Sequence, residues 1–193
     1  MKIKFVTLNT GKFEWAQRRL QSSGIELLQE KLELDESQHV NVEEVARKKA
    51  ESIKMKVEGP FIVEDSGFCI ETLNNFPATH IKFALSTIGI EGILKLMSGE
   101  KNRKVNFKSA LVYHNSGKEN IFVCDDVGTL SEVSRGENLR GFNELFKIFI
   151  PTGFNKTLAE MSDEEFAAYE KGVEKDDHYV KFARWFNENK NEI

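Results

Sequence analysis

The order of strand-like and helix-like segments leaves few folds open to this chain. Residues 3–7 alternate apolar and polar side chains as a strand does, Asn9-Thr10-Gly11 interrupts the pattern, and residues 12–21 follow a helical period. A short strand is predicted over residues 26–28 and a second helix over residues 42–57. Strands that alternate with helices in this way are typical of an α/β protein.

The rest of the chain continues this mixture and contains no repeat and no low-complexity linker. Ser162 and Glu165 have the spacing of a capping box, which predicts a helix start. We therefore expect one domain over residues 1–193, built on a mixed sheet, with a β-rich second lobe over roughly residues 105–150. The further predicted elements are strands at 61–63, 68–73, 105–114, 120–130 and 146–150, helices at 81–85, 88–97 and 178–189, and turns at 74–77 and 115–118.

Composition excludes several classes of protein. The 193 residues carry a formal net charge of -4, so the chain lacks the basic surface on which nucleic-acid affinity depends. No apolar stretch approaches the roughly 20 residues of a membrane helix, and the N-terminus has no signal-peptide pattern. We expect a cytoplasmic protein with no nucleic-acid and no membrane partner. Cys69 and Cys124 form no disulfide or zinc pattern, and we interpret them as small buried hydrophobes.

Two adjacent carboxylates follow an apolar strand in the run Phe61-Ile62-Val63-Glu64-Asp65-Ser66-Gly67-Phe68. Ligands of open α/β sheets bind where strands end, so the acidic pair is predicted at a ligand site. Neighbouring carboxylates repel unless a cation lies between them, and such oxygen ligands suit Mg²⁺ together with substrate phosphates. The alternative is that Glu64 and Asp65 only solvate a loop, since acidic residues are common in turns.

A second candidate site lies between the first strand and the first helix. There Thr7-Leu8-Asn9-Thr10-Gly11-Lys12 offers backbone N–H groups at a helix start, with Lys12 as a point charge, as phosphate-binding loops do. The segment is not a Walker A loop and lacks the glycines of a dinucleotide fingerprint. Alone it is weak evidence, but its combination with the later Glu-Asp-Ser-Gly segment is more specific.

Four motifs occur in order along nearly the whole chain: Thr7–Lys12, Val63–Gly67, Ser134-Arg135-Gly136 followed by Gly141-Phe142, and Thr157–Met161. Together they resemble the motifs of the inosine triphosphate pyrophosphatase family, also called the Ham1-like or non-canonical purine NTP pyrophosphatases. The resemblance implies a two-lobed α/β fold, with an elongated mixed β-sheet flanked by helices and an active-site cleft between the lobes. It also implies Mg²⁺-dependent hydrolysis of a nucleoside triphosphate to a monophosphate and pyrophosphate, usually by a homodimer.

The resemblance assigns roles to individual residues. A triphosphate carries its charge into the transition state of P–O cleavage, so cations must neutralise the leaving pyrophosphate while a carboxylate orients water. The alternatives are a solvated helix position for Lys49 and an ordinary acidic loop residue for Glu36. The implied catalytic residues are Asp65 and Lys12; the implied substrate-binding residues are Thr7, Asn9, Lys12, Lys49, Ser66, Phe142, Lys175 and His178; and the implied metal ligands are Glu36, Glu64 and Asp65.

The base-recognition segments depart from the family pattern. Phe142 can still stack on a base, but the aromatic residue and Asp-Pro that normally follow are absent, with Glu144 as a weak substitute for the acid. His178 matches the histidine of a family Ser-His-Arg, whereas Tyr179 stands in place of the arginine, and Lys175 matches only with an insertion. A site rejects the wrong base strongly when its donors are in place. The resemblance predicts ITP, dITP or XTP as substrate; the alternatives are a shifted base specificity, a nucleotide-binding protein with weakened catalysis, and a plain surface role for His178.

Overall fold

The computed structural model describes residues 1–33, 39–140 and 143–190. Within these residues the chain forms seven strands and six α-helices, with three short 3₁₀ turns between them. The strands are β1 (Lys2–Val6), β2 (Glu26–Glu30), β3 (Phe61–Ile70), β4 (Pro77–Ala78), β5 (Lys104–Asn115), β6 (Lys118–Leu130) and β7 (Phe149–Pro151), and the helices are α1 (Thr10–Leu20), α2 (Val42–Ile53), α3 (Ile81–Thr87), α4 (Gly89–Leu96), α5 (Asp163–Glu174) and α6 (His178–Asn189).

The strands form one mixed sheet in the order β2-β1-β3-β5-β6-β7, with β4 paired to β3. Strand β1 runs parallel to both β2 and β3, whereas the β3–β4 and β6–β7 pairs are antiparallel. The predicted α/β class is therefore confirmed. None of the helices in the described part of the chain has the length and apolar character needed to cross a membrane.

The chain divides into two compact units, and the described residues of Met1–Asp65, Ser109–Cys124 and Lys175–Ile193 form the first. Its apolar residues make two clusters, because successive side chains of a strand point to opposite faces of a sheet. One cluster joins Ile62 of β3 to α1 and α6, and the other joins Phe61 and Val63 to α2. Each face of β3 is thus buried by its own helices.

The second unit contains Ser66–Lys108 and the described residues of Asp125–Glu174, around an aromatic-rich core with α4 and α5. Two of the family-like motifs, at residues 134–136 and 157–161, pack on each other here. The Thr157 hydroxyl donates to the Arg135 carbonyl at 2.9 Å. A Cβ on Gly136 would lie 2.3 Å from the carbonyl carbon of Ala159, so only glycine fits.

Several predicted boundaries are confirmed and others are wrong. Helix α6 begins and ends at the predicted residues, and Ser162 forms the predicted capping box with Glu165. Ser116 and Gly117 form the predicted hairpin turn, both with positive φ. Helix α2 ends at Ile53 instead of residue 57, and the strand predicted over 146–150 is reduced to Phe149–Pro151, preceded by a 3₁₀ turn.

Candidate active site

The loop before α1 is held in shape by its own side chains. Asn9 caps the helix, since its side chain accepts a hydrogen bond from the backbone N–H of Lys12 at 3.0 Å. The Asn9 N–H donates to the Thr7 hydroxyl at 3.1 Å, and the Gln29 side chain donates to the Thr7 carbonyl at 3.1 Å. Asn9 and Thr10 are exposed. The loop therefore offers the positive end of α1 to solvent, an arrangement that suits a phosphate.

The acidic pair lies inside a strand, not at the end of one as predicted. Strand β3 runs without interruption for ten residues through Glu64, Asp65, Ser66 and Gly67, and almost all of it is buried. Strand β1 pairs with β3 up to Phe5↔Ile62 and ends one residue later. Glu64 and Asp65 consequently extend past the carboxyl end of β1, beside the loop that leads into α1. A ligand site at that edge of the sheet is consistent with this position.

The two carboxylates point to opposite faces of the sheet, and each faces a lysine. Glu64, on the face of α1, lies 2.7 Å from Lys12 Nζ. Asp65, on the face of α2, forms an ion pair with Lys49. Both carboxylates are less than 10% exposed, with residue exposures of 7% and 8%. The expected repulsion between the acids is therefore relieved by two lysines, and no cation between them is required.

The environment of Asp65 combines burial with positive charge. Burial raises the pKa of its carboxyl above the ordinary value, while the charges of Lys49 and Lys12 oppose that rise. Lys49 Nζ donates to Oδ1, and Oδ2 is buried without a hydrogen-bond partner among the described residues. Buried polar atoms are normally satisfied, so an open carboxylate oxygen indicates a place for a ligand or water. Lys49 is not the solvated helix position considered above, because its side chain is 13% exposed.

The carboxylate oxygens of β3 bear on the implied magnesium site. Carboxylate oxygens are the donors that Mg²⁺ prefers, and Oδ2 of Asp65 has no competing hydrogen bond within the described residues. Glu36 lies outside the described residues. Among the described residues, this site included, no group of three histidine, cysteine, aspartate or glutamate side chains is placed to hold a metal ion. The open carboxylate oxygen of Asp65 fits a hard cation, whereas Glu64 lies on the opposite face of the sheet and is paired with Lys12.

His178 is buried at the start of α6, with 6% of its surface exposed, so it does not occupy a surface position. Asp177 caps this helix through the backbone N–H of Tyr179 at 2.7 Å, and α1 holds Asp177 in turn through Trp15 at 3.4 Å and Arg19 at 3.7 Å. Burial lowers the pKa of the His178 ring, which favours the neutral imidazole; Asp177 and Glu64 oppose the shift, and Lys12 adds to it. His178 thus belongs to the same charge environment as the Lys12–Glu64 pair.

The remaining predicted residues are exposed, partly buried or outside the described residues. Lys175 is exposed in the turn that precedes Asp177, and Ser66 is partly buried in β3 immediately after Asp65. Phe142 lies outside the described residues. The weak substitute Glu144 is exposed at the start of a 3₁₀ turn in the second unit.

Sequence reasoning missed two residues next to His178. Asp177 has the residue type and position of a helix cap, so its capping role had a local signal. Cys124 does not fit the interpretation of a small buried hydrophobe, because it is partly exposed and its Sγ lies 3.3 Å from His178 Nδ1. Cys124 and His178 are 54 positions apart, and nothing in the local sequence around either residue indicates their contact.

These features define an α/β protein with an exposed helix start beside buried carboxylates that are paired with lysines. The chain belongs to the Ham1 family, whose sequence profile matches residues 3–171. The dITP/XTP pyrophosphatase of Thermococcus kodakarensis is 39% identical over 189 residues, covering 98% of this chain and 99% of the relative. The dITP/XTP pyrophosphatase of Pyrococcus horikoshii is 41% identical over 165 residues, covering 86% and 87%. The solved structure of the Staphylococcus aureus Ham1 protein has a TM-score of 0.76 at 18% identity, covering 98% of this chain and 100% of that one, and supports the fold.

Proposed function

We propose that this protein hydrolyses dITP, ITP or XTP to the monophosphate and pyrophosphate, and so removes non-canonical purine nucleotides from the nucleotide pool. The names of the archaeal relatives, which align over most of both chains, support this substrate class. The observation that carries the site assignment is Asp65, a buried carboxylate with a lysine on one oxygen and no hydrogen-bond partner on the other within the described residues. We propose residues 1–193 as a single domain for this activity.

The proposed roles follow from the charges around Asp65. Thr7 and Asn9 shape the loop that receives the triphosphate, and the exposed N-terminus of α1 adds partial positive charge. Lys12 and Lys49 neutralise the phosphates; an ammonium group has three N–H donors, so each lysine can contact a phosphate oxygen without leaving its carboxylate. Both lysines stabilise the negative charge that develops on the leaving pyrophosphate as the P–O bond breaks.

Asp65 is proposed to orient the attacking water and accept its proton at Oδ2. The carboxyl must be ionised to accept a proton, and Lys49 and Lys12 favour its ionised form against the effect of burial. Glu36, Glu64 and Asp65 are the residues we propose to hold Mg²⁺, which when bound supplies positive charge that polarises the phosphoryl oxygens. Ser66, Phe142, Lys175 and His178 remain proposed contacts of the nucleotide. We further propose that the protein is a homodimer, which light scattering of the purified protein would test. We also propose that it is located in the cytoplasm.

The site assignment is tested by two matched Asp→Asn variants. Asp65→Asn should lower pyrophosphate release from dITP at least about 1,000-fold while the protein remains folded, because the amide cannot accept the proton. Asp126→Asn is the control: it makes the same change at a partly buried carboxyl in the second unit, and should keep wild-type turnover. Equal activity in Asp65→Asn and the wild type would contradict the assignment, and a wild type inactive on dITP, ITP and XTP would contradict the proposed function.

A further inference from the structure

The contact between Cys124 and His178 has a geometry that bears on base recognition. Cys124 lies on β6, with its Sγ 3.3 Å from His178 Nδ1. The other ring nitrogen, Nε2, is buried and has no hydrogen-bond partner among the described residues. A buried ring nitrogen without a partner is uncommon, and it is where a ligand would form the missing hydrogen bond.

The neutral imidazole has one N–H and one lone pair, so the partner of Nδ1 decides what Nε2 can do. A cysteine thiol ordinarily carries its proton at neutral pH, and it has a single S–H to donate. Sulfur is a weak acceptor. The thiol, 3.3 Å from Nδ1, therefore forms a stronger hydrogen bond as the donor to the lone pair of that nitrogen than as an acceptor. This arrangement leaves the ring proton on Nε2.

We propose that Cys124 is a positioning residue, which holds His178 in the tautomer with its proton on Nε2 and so makes the ring a hydrogen-bond donor to the 6-oxo group of the base. The proposal rests on the proposed function. The bases of dITP, ITP and XTP carry a 6-oxo acceptor, whereas adenine carries a 6-amino donor that would face the Nε2–H without an acceptor. Guanine also has a 6-oxo group, so the contact discriminates against adenine and not against guanine.

The surroundings of the pair hold the ring in place independently of the thiol. Asp177 anchors the start of α6, and the Lys181 ammonium donates to the carbonyl of Val123, next to Cys124, at 2.8 Å. The rings of His178 and Tyr179 contact each other with centroids 4.1 Å apart. A change at Cys124 should consequently alter the hydrogen bond of the ring more than its position.

The tautomer is tested by ¹⁵N NMR of histidine-labelled protein, because the two ring nitrogens have different chemical shifts in the two neutral tautomers. The His178→Gln variant identifies the His178 signals among the four histidines. The wild type should show the Nε2–H tautomer, Cys124→Ser should keep it through its hydroxyl donor, and Cys124→Ala should give a mixture. Cys69→Ala, a change at a buried cysteine of β3 in the other unit, is the control and should leave the spectrum unchanged.

Selectivity is tested with the same variants by comparing kcat/KM for dITP, dGTP and dATP. Cys124→Ala should reduce the dITP-to-dATP ratio about tenfold and leave the dITP-to-dGTP ratio unchanged, and Cys124→Ser should restore most of the first ratio. An Nδ1–H tautomer in the wild type, or an unchanged dITP-to-dATP ratio in Cys124→Ala, would overturn the proposal. A wild type that releases no pyrophosphate from dITP would contradict the proposed function, while the NMR spectra would still decide whether Cys124 sets the tautomer.

Discussion

Asp65 in the first unit and Asp126 in the second are both carboxyls whose pKa is raised by burial, but their partners differ. Asp65 faces Lys49 and feels the charge of Lys12, whereas Asp126 accepts a hydrogen bond from the Tyr169 hydroxyl. Burial raises the pKa of Asp126 to about 6, because a neutral phenol opposes the rise less than an ammonium group can. Burial thus favours the protonated form of an acid, and the two lysines are what favour the ionised form of Asp65 that its proposed role requires.

Lys49→Met should have the largest effect on the difference between the two acids. It removes the lysine partner of Asp65 and leaves that carboxyl in surroundings closer to those of Asp126. We expect kcat/KM for dITP to fall about 100-fold, because a phosphate contact is lost and the ionised form of Asp65 is disfavoured. The acidic limb of the pH–rate profile should move to higher pH, because removing a positive charge raises the pKa of a neighbouring carboxyl. Steady-state kinetics across pH measure both effects.

Lys48→Met is the matched control for that variant, since Lys48 is the exposed neighbour on the same helix. It should leave kcat/KM and the pH profile unchanged. Equal losses in Lys48→Met and Lys49→Met would show that the charge of α2 as a whole matters, and the specific pairing with Asp65 would be rejected.

Lys12→Met should have a smaller effect, with KM for dITP raised about tenfold and kcat changed less. The reason is that Lys12 is more exposed than Lys49, at 29% of its side chain against 13%, so solvent weakens its interaction with the phosphates. Lys2→Met removes an exposed lysine of β1 and should leave KM unchanged. A kcat loss in Lys12→Met as large as that of Lys49→Met would remove the distinction between the two lysines.

The protonation of the Asp126 carboxyl should affect the free energy of unfolding and not the rate of turnover. Its carboxyl has a pKa of about 6 in the folded protein against the ordinary value of 3.8, so between these pH values the folded protein holds a proton that the unfolded chain has lost. Stability should therefore fall as pH rises from about 4 to about 6, by on the order of 2 kcal/mol, and then level off. Urea denaturation of the wild type and of Asp126→Asn across this range measures the free energy of unfolding. Its decrease with pH should be absent in the variant. Identical pH dependence in both proteins would contradict the assignment.

Local sequence predicted the elements whose signals are local. The helix over His178–Asn189 has an aspartate cap and an amphipathic period, and the Ser116-Gly117 hairpin has its turn residues. The end of α2 was misplaced because Val57 is buried and its N–H still bonds to the Ile53 carbonyl, so the apolar period continues beyond the last helical residue. A periodic pattern does not distinguish the helix from the turn that follows it.

The errors at β3 and at Cys124 have a different cause. Ser66-Gly67 is a turn signal by residue type, yet the segment stays extended as the middle of β3, between buried strand residues on either side of it in the chain. The pairing of Asp65 with Lys49 joins a strand to a helix, and that of Cys124 with His178 joins residues far apart in the chain. Such contacts depend on the tertiary fold. The sequence alone therefore predicts which acids and lysines belong to the site, but not which lysine pairs with which acid.

The products of the wild-type reaction test the central claim most directly. We expect ³¹P NMR of the purified protein with dITP and Mg²⁺ to show the signals of dIMP and pyrophosphate growing together in equal amounts, with dATP converted more slowly. Formation of dIDP and orthophosphate would contradict the proposed cleavage between the α- and β-phosphates, and unchanged dITP would contradict the proposed function as a whole.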